Sequence, residues 1–407
     1  MVTSVAGAGR ASLTATAGQP GDSGVRAVRV GHSWDGDAYE AGRAATAEAL
    51  DVAEPRLLLV FASFEYDLPR LVAGVNSVSG EVPVIGCSTS GEIGPRPELC
   101  NGVVVVCLAG AFQVTTGYAT GLHDDPRMVG DSMARALLPM PETRYRFTLM
   151  LTDSLAGDQQ EMIRGVYGVL GATIPLIGGG AGDNLGMVTS RQFFGDQILQ
   201  DSVVAASIGT DSPVGFSVRH GWHRQGRAMV VTDSSANSVH SLDDRPALDV
   251  WLERHAAPAG IEHDPAAFTT FALSRPLAVA RRGDVAVRHV LGADPQRRSL
   301  VCAGSVPMGA AAWFATGDSE STLGSTRTVC ADAIGRLDGV PLLALLVFDC
   351  AGRRALLGDE GCVTERELIG EQAGDAPLAG FYTYGEIART RGVQGYHNQT
   401  IVAVALS

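Results

Sequence analysis

The chain has 407 residues, 45% hydrophobic and 18% charged, which is enough apolar material for a core divided over two or three folded bodies. A formal charge of −13 without any basic tract argues against a nucleic-acid partner. All 31 lysine-or-arginine positions are arginine, which excludes a phosphate-loop lysine, a pyridoxal Schiff base and a lysine nucleophile.

The N-terminal stretch, residues 1–24, is small and polar with no secretory apolar run, and reads as a flexible lead. From Val25 onward, apolar runs of strand length alternate with amphipathic segments of helix length. "RLLLVFAS" (56–63) is a strand, and residues 68–78 have a helical pattern. "VPVIGCSTSGE" and "GVVVVCLAG" follow as strands. Runs this continuously apolar belong to strands covered on both faces, hence to an α/β fold. The order recurs: "YRFTLMLTDS" is a strand, residues 157–172 a helix, "IPLIGGGAGDN" a strand breaking into a glycine loop, and "SVVAASIG" a closing strand. Between them "GMVTSRQFFGDQILQ" looks like a β-hairpin. The polar residues from 231, leading into the helical "RPALDVWLERH", read as a hinge, with a domain boundary near residue 245. A strand-rich stretch (268–317) and a helix (319–337) come next. "PLLALLVFDC", a helix at 364–372, "APLAGFYTYGEI" and "NQTIVAVALS" make a third copy of the plan. The expectation is an α/β protein of two lobes, residues 25–245 and 246–407, in which buried strands alternate with helices in related strand–helix–strand units.

The repeat centres on one loop. Pro83, Gly86, Thr89 and Gly91-Glu92-Ile93 match Pro377, Gly380, Thr383 and Gly385-Glu386-Ile387 without a gap, while the middle copy is one residue shorter and offers Gly182-Asp183. Glycine lets the backbone turn sharply and approach a ligand. The hydroxyls of Ser88, Thr89 and Ser90 and the carboxylate beyond Gly91 add donors and an acceptor that suit a polar or zwitterionic molecule. The expected pocket is lined by Cys87 through Glu92, by Gly179, Gly180, Asp183 and Asn184, and by Tyr382, Tyr384 and Glu386, with the tyrosines as aromatic walls. Asp153, at the carboxyl end of a buried strand, is a further candidate, as either a ligand contact or a cap. The spacing in "GGGAGDN" is not that of a dinucleotide fingerprint.

Seven scattered cysteines without a C-x-x-C pair point to a reducing, cytoplasmic setting and to thiols packed as small hydrophobes. The longest apolar runs are too short to cross a bilayer, so no membrane partner is expected. The nine histidines show no metal-ligand spacing.

Several of these strings together resemble a known family. "PVIGCSTSGEIG", "LTDSLAGD", "RQFFGDQILQDSVVAAS" and "VGFSVRHGW" resemble the N-terminal module of FIST proteins. "LDDRPALDVW", "LAGFYTYGEIAR" and "YHNQTIVAVAL" resemble the C-terminal module, in family order. The resemblance implies a bacterial sensory protein that binds a small ligand, amino acids and related compounds having been suggested. The chain carries no kinase, cyclase or methyl-accepting segment, so its output would pass through a signalling protein encoded separately. No cofactor is predicted. Some proteins of similar sequence bind haem and sense nitric oxide, which makes His220 in "VRHGWHR" an alternative axial ligand. A third alternative is a hydrolase or lyase using Cys87 or Asp153.

Overall fold

The computed structural model describes residues 24–96, 101–281, 284–389 and 395–407. Apart from Gly24, the expected flexible lead lies outside the described residues, as does Cys100. The protein has an α/β fold. Among the described residues, four sheets are accompanied by eight α-helices: α1 (Ala38–Ala49), α2 (Leu68–Ser79), α3 (Pro126–Ala136), α4 (Gln159–Leu170), α5 (Ala247–Arg254), α6 (Pro265–Ala272), α7 (Ser319–Gly335) and α8 (Ala351–Ala373). Aspartates open most of them. Asp37, Asp67, Asp125, Asp158, Asp264 and Asp318 each accept backbone N–H groups of a first turn. Helix α8 reaches back well beyond the 364–372 expected, and is broken at Gly358, where φ is 66°.

Three of the sheets are copies of one design. In the first, the strands run in the order Arg26–Ser33, Val103–Gly110, Pro55–Ser63 and Val84–Thr89. In the second they run Gln113–Thr120, Ser202–Thr210, Tyr145–Thr152 and Leu176–Gly180. In the third they run Val214–Arg219, Ile401–Leu406, Ala344–Cys350 and Leu378–Thr383. Each unit therefore places its last strand between its first and second, and its third outside the second in parallel pairing. One face of each sheet carries a helix pair: α1 and α2, α3 and α4, or α7 and α8. The opposite faces of all three meet in a common core around Leu59, Phe61, Leu149, Val204, Leu346, Phe381 and Val404. That double covering explains why strands such as "VVVVCLAG" are apolar at every position.

The third strand of each unit would be left as an open edge, and the edges are closed in a ring. Glu92–Ile93, from the first unit, pairs with Leu378–Thr383 of the third. Gln192–Phe194, from the second, pairs with Val84–Thr89 of the first. Glu386–Arg389, from the third, pairs with Leu176–Gly180 of the second. Exchanging edge strands this way satisfies backbone groups that would otherwise template aggregation. The two-lobe expectation thus takes the form of three interlocked units and one inserted sheet.

The insert lies between the strand Val214–Arg219 and α7, where the other two units pass directly from first strand to first helix. It is an eight-stranded antiparallel sheet with α5 and α6 and its own core around Trp251, Phe268, Leu300 and Phe314. The segment expected as a hinge is part of this sheet: His223–Ser235 and Ser238–Leu242 form a paired hairpin. Its polar residues lie on the solvent side of strands, which is why composition alone suggested a loop.

Candidate functional site

The glycine-acid loops meet where the three units interlock. Ser90 N–H donates to Tyr382 O (3.1 Å) and Tyr382 N–H to Gly91 O (2.8 Å). Gly182 N–H donates to Ser88 O (2.9 Å). Gly180 N–H donates to Gly385 O (2.8 Å) and Tyr384 N–H returns to Gly180 O (3.0 Å). The Ser88 hydroxyl donates to Gly182 O (2.7 Å) and accepts Arg191 N–H (2.9 Å). Gly179 faces Thr383, with room for no side chain between them. Cys87, Ser88, Thr89, Ser90, Glu92, Tyr382 and Glu386 are all buried.

The counterpart of Glu92 and Glu386 in the middle unit is not Asp183. Register places Gln192 there: Gln192 stands opposite Cys87 as Glu92 stands opposite Phe381 and Glu386 opposite Gly179. The middle loop is longer, not one residue shorter as the motif comparison has it, so that comparison stops short of Gln192. Asp183 instead organises that loop. Its carboxylate accepts the N–H groups of Met187 (2.8 Å), Val188 (2.9 Å) and Thr189 (2.9 Å) and the Tyr384 hydroxyl. Burial pushes that hydroxyl up to about 12. Asn184 bridges Glu65 (2.9 Å) and Arg354 (3.0 Å).

Burial also pushes the Cys87 thiol well above its ordinary value, and its place in the common core keeps it from solvent. Asp153 accepts Leu155 N–H (3.2 Å) and Asp201 N–H (3.0 Å), fixing the turn before α4, whose cap is Asp158. His220 is half-buried and its Nδ1 accepts Trp222 N–H (3.3 Å). Among the described residues no cluster of three His, Cys, Asp or Glu could hold a metal ion, and no helix is long and apolar enough to cross a membrane.

A cavity of about 320 Å³ opens beside the junction, between the second unit and the inserted sheet. It lies at the carboxyl ends of the second sheet's strands, where α/β sheets gather ligands. On one side are Ser154, Asp158 and Gln160 at the start of α4, with Met187, Tyr384 and Tyr396. On the other are Asn237, Arg288 and the turn 302–305. Tyr384 is the one expected site residue that lines it.

The walls are held from behind. Gln159 donates to Asp153 O (2.9 Å) and Ala156 O (2.6 Å) and accepts the Thr152 hydroxyl (2.9 Å), locking the turn into α4. The Gln160 side-chain oxygen accepts Gly395 N–H (3.3 Å) and Tyr396 N–H (3.4 Å), and the Tyr396 hydroxyl donates to Tyr384 O (3.1 Å). Opposite, Arg288 Nε donates to Ser305 O (3.1 Å) and its Nη1 to Val287 O (3.0 Å), while Asn237 donates to Cys302 O (3.0 Å). Arg288 is 1% exposed. Its one sequence signal is a lone arginine interrupting the apolar run "VAVRHVLG"; nothing local ties that run to α4 or to Tyr396.

Comparison with known proteins agrees with the motif resemblance. The FIST N domain model matches residues 56–245 and the FIST C domain model residues 247–389. The chain is 26% identical to uncharacterized protein Rv0628c of Mycobacterium tuberculosis over 337 residues, covering 81% of this chain and 85% of the relative. It is 31% identical to uncharacterized protein Mb0898c of Mycobacterium bovis over 192 residues, covering 45% of this chain and 48% of the relative. With both modules matched in order across most of its length, the chain belongs to the FIST family, whose domains are associated with sensory signalling.

Proposed function

We propose that this protein is a non-catalytic sensor whose ligand is a small, amino-acid-like zwitterion held in the cavity between the second unit and the inserted sheet. The observation that carries the reading is the presence of opposite charges on the two walls of that cavity: the buried Arg288 guanidinium on one, the Asp158 carboxylate on the other. A ligand carboxylate meets Arg288, which stays charged at any physiological pH, and a ligand ammonium meets Asp158 and the carbonyls of the 302–305 turn. Gln160 and Asn237 add neutral polar groups, and Leu155, Met187 and Leu291 an apolar side for a side chain. Because the walls belong to different bodies, a bound ligand stabilises one relation of the insert to the three-unit ring. The bound state then passes to a separately encoded signalling partner as a population shift.

Titration calorimetry with a panel of free amino acids tests this. At least one is expected to bind, and Arg288→Met to weaken it by about 2 kcal/mol, roughly 30-fold, the worth of a buried hydrogen bond to a charge. Asn237→Ala, which leaves both charged residues in place, is expected to cost less. Failure of every amino acid to bind, together with no co-purifying small molecule in native mass spectrometry, would sink the proposal.

A further inference from the structure

The three exchanged strands are held by one device built with two chemistries. Each begins with a buried side chain: Glu92, Gln192 or Glu386. Each reaches a hydroxyl upstream in its own loop, from Thr89, Ser190 or Thr383. Each also reaches a donor at the start of its unit's last strand. For Glu92 this is Gly102 N–H (2.8 Å), for Gln192 the Ser202 hydroxyl (2.7 Å), and for Glu386 both the N–H (3.1 Å) and the hydroxyl (2.8 Å) of Thr400.

The middle seam shows what the pattern accepts. The Gln192 nitrogen donates to Ser190 Oγ (3.1 Å) while its oxygen accepts from Ser202. At the glutamates the Thr89 and Thr383 hydroxyls donate to the carboxyl and accept Gly91 N–H (3.2 Å) and Gly385 N–H (3.2 Å). A neutral carboxylic acid turns the first bond round to match Gln192, its O–H donating to the threonine oxygen and its C=O accepting from the last strand. A carboxylate fills the same space but leaves a negative charge in the core, and among the described residues neither Glu92 nor Glu386 makes an ion pair.

We propose that Glu92 and Glu386 are proton-operated latches: as neutral acids they close the first and third exchanged strands, and on ionising they loosen both, while the Gln192 seam stays shut at any pH. Burial is what favours neutrality at both, while the Arg354 charge at Glu92 and the Cys350 thiol at Glu386 favour the carboxylate. Around Glu92 stand the Cys87 thiol and the Tyr66 hydroxyl, and the Arg354 charge acts on it without pairing. Around Glu386 stand Cys350, Asp349 and Tyr396. Burial pushes each carboxyl from its ordinary 4.5 up to about 7, against the hydrogen bonds it accepts. An acid whose folded value is raised stabilises the fold fully below the unfolded value, and loses that contribution as pH rises through the folded one. The difference, 7 − 4.5, corresponds to roughly 300-fold per group in the folding equilibrium. The latch stands without any ligand. Glu386 lies between Tyr384 and Tyr396 in sequence, so opening its seam also alters a wall of the cavity.

Hydrogen exchange of the full chain, corrected for intrinsic rates between about pH 5.5 and 8.5, tests it without ligand. In the wild type, protection at residues 92–93 and 386–389 is expected to fall as pH rises through neutrality, while protection at 192–194 holds. Glu92→Gln with Glu386→Gln should make all three seams pH-independent, and Gln192→Glu should give residues 192–194 the same fall. Protection in the wild type that stays constant at 92–93 and 386–389 overturns the proposal, as does a fall that the double variant retains. Should the double variant not fold, infrared spectroscopy of the wild type decides. Carboxylic-acid carbonyl bands that disappear near neutrality support the latch, and their absence at about pH 5.5 overturns it.

Discussion

Arg353→Met is expected to lower folding stability by about 4 kcal/mol at neutral pH, measured by urea unfolding. Arg353 lies wholly inside the third unit, donating to Asp349 (2.6 Å), Glu365 (2.7 Å), Ser325 (2.9 Å) and Thr326 (2.8 Å). Neither it nor its two carboxylates is exposed at all. Burial pushes Asp349 up further than Arg353 draws it down. For Glu365 the pull of Arg353 and the hydrogen bonds from Thr326 outweigh burial, leaving it below the ordinary range. Removing the guanidinium strands two acids without a cation, which costs far more than the intact triad contributes. Two outcomes follow from that cause. The deficit should shrink on acidification, as the stranded acids take up protons. Replacing the triad as a whole, by Asp349→Leu, Arg353→Met and Glu365→Leu, should recover most of the loss. A triple variant no better than the single one would assign the cost to packing instead of charge.

Gly380→Ala is expected to cost roughly 3 kcal/mol, at the upper end for overpacking. A Cβ there would stand 1.7 Å from the carbonyl oxygen of Val347 on the neighbouring parallel strand. The strands must separate, and the three-sheet core behind Phe381 offers no space to absorb the shift. Gly86 and Gly178 occupy the same register in the other units, where an added Cβ would stand 2.3 Å from Val60 O and 2.0 Å from Met150 O. The repeat of this glycine is thus a packing requirement of the unit, independent of any ligand. Gly324→Ala in α7 is the matched control: nothing lies within 4 Å, and a helical glycine-to-alanine change there should stabilise by up to about 1 kcal/mol. Equal thermal shifts for the two variants would contradict this account.

The strand–helix–strand units were legible because their signal is local. Continuous apolar runs marked doubly covered strands, period-3.6 segments marked α2, α4 and α7, and the proline-to-glycine spacing marked equivalent third strands. The same locality explains two misalignments. Asp183 matches Glu92 if the middle loop is one residue shorter, yet the loop is longer and carries Gln192 into the equivalent place. The hairpin over 223–242 has the composition of a linker because one side of it faces water. Arg288 was visible as an oddity in a strand, but a cavity wall needs two sides, and the other side is more than a hundred residues away in the chain.

By itself the sequence determined the α/β class, the family and the repeated unit. A glycine recurs in the unit's third strand that reads as a turn beside a ligand, and only the structure shows it to be a packing requirement. Periodicity, glycine placement and motif order are properties of neighbours along the chain, and they survive without coordinates. Only the tertiary structure decided that the edges close in a ring, that the two glutamates sit inside seams with a glutamine as their third partner, and that an inserted sheet faces α4 across a cavity. A two-residue strand such as Glu92–Ile93 has no propensity that names its partner. What chooses it is the unpaired edge of a strand almost three hundred residues downstream, available only once all three sheets have packed against the common core.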